Sequence, residues 1–137
     1  MRIVFDTNTL VSAVLIRNSN SAKVLDIVIK RDIILASQQT ITELTSVLLR
    51  SKFDKYVALK IRQDFIAAYL KTIKLIKVES IVSVCKDSSD NKFLELSVDG
   101  KANYLVTGDN DLLQIKIYQN IPILNSSEFL KIIQETF

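Results

Sequence analysis

Residues 2–8, with the sequence Arg2-Ile3-Val4-Phe5-Asp6-Thr7-Asn8, decide how the rest of the chain is arranged. The continuous apolar run predicts a fully buried strand over residues 3–5, and recurring apolar residues predict a short helix that begins near Thr9. A carboxylate, a hydroxyl and an amide therefore stand at a junction between a strand and a helix. Open α/β sheets form their ligand sites at such junctions. Asp6 is the first candidate for a functional side chain.

The composition predicts a single domain that covers residues 1–137. The chain is 48% hydrophobic, has only two glycines and one proline, and contains no repeat or low-complexity tract that would mark a linker. Asp6 and Asn8 interrupt the apolar start before it could act as a signal peptide. No apolar run approaches the roughly 20 residues that a membrane span requires. The single cysteine, Cys85, fits a reducing compartment, so we predict a soluble cytoplasmic protein without a membrane partner.

The chain contains no histidine, and this excludes several classes of site together. His-based catalytic triads, Cys-His pairs and His-ligated zinc sites are impossible. Neither glycine-rich phosphate-binding motif is present, which argues against Rossmann-type or P-loop nucleotide binding. Any catalysis must use carboxylates, lysine, tyrosine or a metal ion.

Apolar segments of strand length alternate with segments of helical periodicity, which predicts an α/β fold with a parallel sheet covered on both faces. We expect Ser21 to cap the second helix and Gly100 to close the helix that follows residues 86–91. On the helix over residues 57–72, Arg62 is expected to be exposed. The remaining predicted strands are 33–35, 104–107 and 121–124, with extended pieces at 73–78 and 81–85; the remaining helices are 40–49 and one starting near Ser126.

Six carboxylates follow predicted strands or begin the helices after them, so they should converge at the carboxyl edge of the sheet. Each acid taken singly could be a helix cap, a turn residue or a favourable charge near a helix start. Several carboxylates brought together, however, raise one another's pKa and favour a bound cation. Oxygen ligands without His or Cys select Mg²⁺ or Mn²⁺. The six acids are Asp6, Glu43, Asp87, Asp90, Asp109 and Asp111.

The charge balance suggests a polyanionic substrate. Setting those six acids aside from the 15 acidic residues leaves nine against 18 basic residues, a balance of +9 for the remaining surface. An acidic site within a basic surface suits cleavage of a phosphodiester in a nucleic acid. The lysines could equally be a solvating surface. The better candidates for substrate contacts lie next to the proposed acids in sequence: Arg50, Lys52, Lys86 and Lys92.

Four segments in order resemble those of PIN-domain nucleases, and most closely the VapC-like toxins of toxin-antitoxin systems. The segments are Val4-Phe5-Asp6-Thr7-Asn8, Ile41-Thr42-Glu43-Leu44, residues 86–94 and residues 105–113. The resemblance implies a three-layer α/β/α fold with a central, mostly parallel sheet of four to five strands. It also implies an endoribonuclease dependent on Mg²⁺ or Mn²⁺, an RNA substrate, a homodimer and a protein antitoxin. Alternatives are a PIN-type nuclease of RNA processing or DNA repair, and a catalytically silent RNA-binding domain.

The resemblance also assigns roles to individual residues. Asp6, Glu43, Asp90 and Asp109 match the catalytic, metal-binding acids, and Asp111 is an accessory ligand. The residues expected to support these ligands are Thr7, Asn8, Asp87 and Thr107.

Overall fold

The computed structural model describes residues 1–136, without the side chain of residue 136. Its centre is a six-stranded sheet in the order β3-β2-β1-β4-β6-β5. All neighbouring strands are parallel except β5 and β6, which form an antiparallel pair at one edge. The predicted mostly parallel sheet is confirmed. Four to five strands are predicted and six are present within residues 1–136, and the additional strand is the two-residue β5. The strands are β1 Arg2–Phe5, β2 Ile33–Ala36, β3 Lys74–Leu75, β4 Tyr104–Val106, β5 Ile117–Tyr118 and β6 Ile121–Leu124.

Helices cover both faces of this sheet, which confirms the three-layer α/β/α fold. Alternate residues of β1 point to opposite layers, because successive side chains of a strand face opposite ways. Ile3 and Phe5 belong to one apolar cluster together with Phe129, whereas Val4 belongs to the other cluster together with Phe93. The helices are α1 Thr7–Leu15, α2 Asn20–Arg31, α3 Gln38–Leu48, α4 Leu59–Thr72, α5 Asn91–Asp99, α6 Asn110–Ile115 and α7 Ser126–Thr136.

The register of the central strands positions the candidate site. Phe5 of β1 is paired with Val106 of β4, so both strands end at the same level. The ladder continues one residue further, since the Asp6 amide donates to the Val106 carbonyl at 3.1 Å. Asp6 and Thr107 therefore leave the sheet side by side.

Several helices begin earlier than the apolar periodicity predicts, because polar caps lie upstream of the first apolar residue. Asp6 caps α1, so this helix starts at Thr7 and not near Thr9. Ser19 caps α2, and the prediction that Ser21 has this role is wrong. Ser37 and Thr40 form a reciprocal capping box that starts α3 at Gln38.

Arg62 is fully buried, and the prediction that it is exposed is wrong. Its guanidinium donates to the carbonyls of Val57, Leu48 and Arg50 at 3.0, 2.9 and 3.1 Å, and it pairs with the Asp54 carboxylate. These carbonyls lie at the end of α3 and in the loop after it, where helical partners are missing. The periodicity of α4 cannot show that arginine has this buried role.

Within residues 1–136, no helix is both long enough and apolar enough to cross a membrane.

Candidate functional site

Asp6 is the buried centre of the site, with only 4% of the residue exposed. One carboxylate oxygen accepts from the Thr9 amide at 2.9 Å and caps α1. The other accepts from the Thr107 hydroxyl at 2.5 Å. Burial raises the pKa of Asp6, Asp109 raises it further, and the hydrogen bonds from Thr107 and Thr9 oppose this shift.

Thr107 connects two of the acids. It is fully buried, and its hydroxyl donates to Asp6 while accepting from the Asp109 amide at 3.0 Å. Asp109 is itself a helix cap, since its carboxylate accepts from the Leu112 amide at 3.0 Å. The loop after β4 is thus fixed against the end of β1 by one side chain.

Asp90 completes a group of three electrostatically coupled acids. It lies at the start of α5, and burial raises its pKa to about 6, with further contributions from Asp109, Asp87 and Asp6. Lys92 opposes this shift. The neighbouring Asp87 caps the short turn Ser88–Asp90 by accepting from the Ser89 amide and hydroxyl at 3.0 and 2.7 Å. Asp90 is the acid that a nearby cation would stabilise most clearly in its ionised form.

Glu43 stands apart from these three acids. It lies in the middle of α3, and its carboxylate is paired with the Lys92 ammonium. Glu43 and Lys92 both line a cavity of about 650 Å³ between α3 and the start of α5. A second cavity, of about 790 Å³, is lined by Asp109 and Asp111 together with Asn8 and neutral residues of α2 and α7. Glu43 therefore lines one cavity, whereas Asp109 and Asp111 line another.

The residues suit a hard divalent cation in chemistry and charge. Every donor is an oxygen, and burial raises the pKa of Asp6 and of Asp90, with a further contribution from the negative charge of Asp109 in both cases. Among residues 1–136, however, no three His, Cys, Asp or Glu side chains are close enough together to bind a metal ion in their present positions. Coordination of one metal ion by three of these acids therefore requires their carboxylates to move closer together.

Of the other predicted residues, some lie beside the acids and others lie far from them. Thr7 is buried beside Asp6, and its hydroxyl finds no hydrogen-bond partner within residues 1–136. Lys86 is exposed next to Asp87. Arg50 and Lys52 are exposed beyond the far end of α3, whose 11 residues extend about 16 Å from the carboxyl edge of the sheet.

Sequence reasoning did not find two neighbours of the acids. Burial and the charges of Asp90 and Asp109 raise the pKa of the Cys85 thiol. The Cys85 amide donates to the buried side chain of Asn91 at 2.9 Å, which fixes the chain just before the acidic loop. A polar residue at the start of a helix predicts that its side chain caps that helix. Here the Asn91 side chain accepts from the amide of Cys85, in the segment before the helix, and the sequence carries no signal for such a contact.

The chain is similar to known proteins in sequence. A family model described as the PIN domain matches residues 2–111. An uncharacterized protein of Methanocaldococcus jannaschii is 29% identical over 118 residues, which cover 85% of this chain and 76% of that protein.

Two solved structures share the fold. VapBC2 from Rickettsia felis, bound to a promoter DNA fragment, has a TM-score of 0.59 at 16% identity and covers 91% of this chain and 98% of its own. DNA-bound VapBC from Salmonella typhimurium has a TM-score of 0.58 at 13% identity and covers 92% of this chain and 98% of its own. At these identities the likeness concerns the fold. Because the family model matches most of the sequence, the chain belongs to the PIN domain family.

Proposed function

We propose that this protein is an endoribonuclease dependent on Mg²⁺ or Mn²⁺ and the toxin component of a toxin-antitoxin system. One observation carries the proposal: Asp6, Asp90 and Asp109 come from three segments of the chain and are electrostatically coupled at the carboxyl edge of the sheet. A purely structural arrangement does not need a carboxylate at Asp109 whose charge raises the pKa of two neighbouring acids, Asp6 and Asp90. Membership of the PIN domain family supports a nuclease.

Each side chain has a distinct part in the proposed reaction. Asp6, Asp90 and Asp109 would hold the cation, with Glu43 and Asp111 as further ligands. The bound cation supplies a Lewis acid for the phosphodiester and lowers the pKa of the attacking water. Thr107 fixes the orientation of Asp6 and of the Asp109 loop before substrate arrives. The supporting positions proposed for Thr7, Asn8 and Asp87 follow from their places beside these acids.

The substrate is proposed to be RNA held by basic side chains around the acidic edge. Lys86 and Lys92 flank Asp87 and Asp90 in sequence, and lysine binds phosphate oxygens as a concentrated positive charge. Arg50 and Lys52 would contact the strand further from the reaction site, given their position beyond α3. Metal-bound carboxylates and surrounding lysines together suit a polyanion.

The proposed partners are a protein antitoxin and a second copy of the chain. The fold is like that of chains from two VapBC complexes, and this likeness supports an antitoxin partner. Induced expression in bacteria should arrest growth, and Asp6→Asn should abolish the arrest. Growth that continues unchanged while the purified protein cleaves RNA would favour a nuclease of RNA processing without a toxin role.

Cleavage of structured RNAs by the purified protein tests the activity. We expect cleavage with Mn²⁺ or Mg²⁺, none with EDTA, and none with Asp6→Asn. The exposed Asp64 on α4 provides a matched control, and Asp64→Asn should retain activity. Cleavage that resists both EDTA and Asp6→Asn would refute the metal-dependent mechanism. RNA that stays intact under every metal condition would instead favour a binding domain without catalysis.

A further inference from the structure

The Lys92 ammonium occupies a position between oxygen atoms at the Glu43 side of the site. It is paired with the Glu43 carboxylate, and it also donates to the Ser89 carbonyl. The side chain of Lys92 is 17% exposed and that of Glu43 is 31% exposed, so the pair is partly shielded from water. Partial burial strengthens such a pair compared with one on the open surface.

The surroundings of this ammonium are those that a hard cation prefers. Carboxylate and backbone carbonyl oxygens are common ligands of Mg²⁺ and Ca²⁺ in proteins. The positive charge of Lys92 also acts on Asp90 and Asp87, since it lowers the pKa of both carboxyl groups. Lys92 thus contacts Glu43 directly and influences the acidic group beyond it through space.

We infer that the Lys92 ammonium is a built-in cation of the acidic site, which pairs with Glu43 and competes with a divalent cation for this carboxylate. The inference rests on the proposed function in one respect, because it takes Glu43 to be a metal ligand. Its physical basis is that an ammonium and a divalent cation repel each other when both contact one carboxylate in a partly buried site. Binding of the metal through Glu43 must therefore include the free energy of this repulsion or of opening the Lys92 pair.

The competition makes Lys92 a positioning residue that acts through Glu43. While the pair is intact, it holds the Glu43 carboxylate in the cavity between α3 and α5, apart from Asp6 and Asp109. When the pair opens, Glu43 becomes available as a ligand and the Lys92 ammonium becomes free for a phosphate group. Metal loading and substrate binding would be coupled through this one side chain.

Calorimetric titration with Mn²⁺ in the absence of RNA tests the inference on the whole protein. Lys92→Met removes the ammonium and retains an unbranched side chain, so we expect Mn²⁺ to bind about tenfold more tightly, in the range of coupling between contacting residues. Lys92→Arg keeps the ion pair and should bind Mn²⁺ as the wild type does. Lys86→Met removes an equal charge from the same loop and should change the affinity by much less.

A double-mutant cycle separates competition from a general effect of charge. In a Glu43→Gln background, Lys92→Met should give no further gain, because the contested carboxylate is absent. The same gain in both backgrounds would overturn the inference, as would unchanged, weaker or undetectable Mn²⁺ binding by Lys92→Met. Thermal unfolding of each variant verifies that it is folded. The proposed ribonuclease fails on a different result, the absence of RNA cleavage, so the two failures are distinguishable.

Discussion

Asp6 shows that a helix cap and a candidate catalytic acid can be the same residue. One oxygen satisfies the Thr9 amide at the start of α1 and the other accepts from Thr107. Each carboxylate oxygen retains a lone pair for a metal ion, because a carboxylate offers about four acceptor positions. The cap orients the acid, so the structural and functional explanations of Asp6 support each other.

Thr107 tests this orientation, because its hydroxyl donates to the Asp6 carboxylate and accepts from the Asp109 amide. In Thr107→Val we expect RNA cleavage to fall by about 10- to 100-fold, as for other residues that orient metal ligands. The unfolding free energy should fall by about 1–3 kcal/mol, since the buried Asp6 oxygen and the Asp109 amide lose their partner. Cleavage assays and urea unfolding measure the two effects.

Thr107→Ser is the matched control, because it keeps the hydroxyl and removes one methyl group. It should retain most of the activity while losing some stability to the cavity. Equal activity losses in both variants would assign the role of Thr107 to packing.

The sequence predicts the acids of the site better than their contacts. Asp6, Asp90 and Asp109 could be found because strand and helix boundaries fix where the backbone places them. The pairing of Glu43 with Lys92 could not be predicted, because it depends on the rotamers of two flexible side chains on different helices. The burial of Arg62 depends likewise on unpaired carbonyls contributed by another segment.

Helix α5 holds the preceding irregular segment through a row of polar side chains four residues apart. Asn91 accepts from the Cys85 amide, Glu95 from the Val82 amide, and Asp99 from the Glu79 and Ser80 amides. Residues four apart lie on the same face of a helix, so one face of α5 satisfies four backbone donors of this segment. This explains why residues 81–85 form no strand despite their apolar, β-branched sequence.

The pH dependence of stability should reveal the Asp99 contact. Hydrogen bonds from Ser80 and from the amides of Ser80 and Glu79 lower the pKa of Asp99. Because the pKa of Asp99 is lower in the folded protein than in the unfolded chain, ionised Asp99 stabilises the fold at pH values above the ordinary carboxyl pKa of about 4. This stabilisation disappears as the pH falls through the lower pKa of the folded state. The difference in urea midpoint between wild type and Asp99→Asn should therefore be constant near neutral pH and shrink in acid.

Asp26→Asn is the control, because it removes an exposed carboxylate from α2. A midpoint difference for Asp99→Asn that stays constant down to the lowest pH at which the protein folds would contradict the charge-dependent role.

The loop between α3 and α4 depends on Arg62, which is 0% exposed. Arg62→Met should lower the unfolding free energy by about 3 kcal/mol, because buried carbonyls lose their donors. Asp54→Asn, which changes the half-exposed partner, should cost less than about 1 kcal/mol. Urea unfolding of both variants gives the comparison, and similar losses would show that the ion pair and not the carbonyl contacts stabilises the loop.

Most element types follow from the sequence, whereas their limits depend on caps and on distant partners. The buried strands β1, β2, β4 and β6 are signalled by short apolar runs. At the start of α7, the Asn125 amide donates to the Glu128 carboxylate at 3.1 Å, and the Glu128 amide donates to the Asn125 side chain at 2.8 Å. The antiparallel strand β5 has only two residues and carries no periodic signal. Its pairing with β6 is a tertiary contact that local patterns cannot specify.

The candidate acids and the end of α2 lie at opposite edges of the sheet. The candidate acids lie at the carboxyl edge, where β1 and β4 end, whereas α2 finishes at the opposite edge, just before β2 begins. Lys86 is beside the acids and Lys30 is in the last turn of α2, and both are exposed. Replacing either lysine by alanine removes one positive charge, so the two substitutions compare opposite edges of the sheet.

Salt-dependent RNA binding distinguishes these two edges. In an Asp6→Asn background, which should leave the RNA uncut, Lys86→Ala should weaken binding of single-stranded RNA and reduce the slope of log affinity against log salt by about 0.7, the value for one lost phosphate contact. Lys30→Ala should leave the slope unchanged, because its edge lies away from the proposed path of the RNA. Equal reductions would mean that RNA binds through non-specific charge over the whole surface. A reduction for Lys30→Ala alone would place the RNA at the opposite edge and separate binding from the candidate acids.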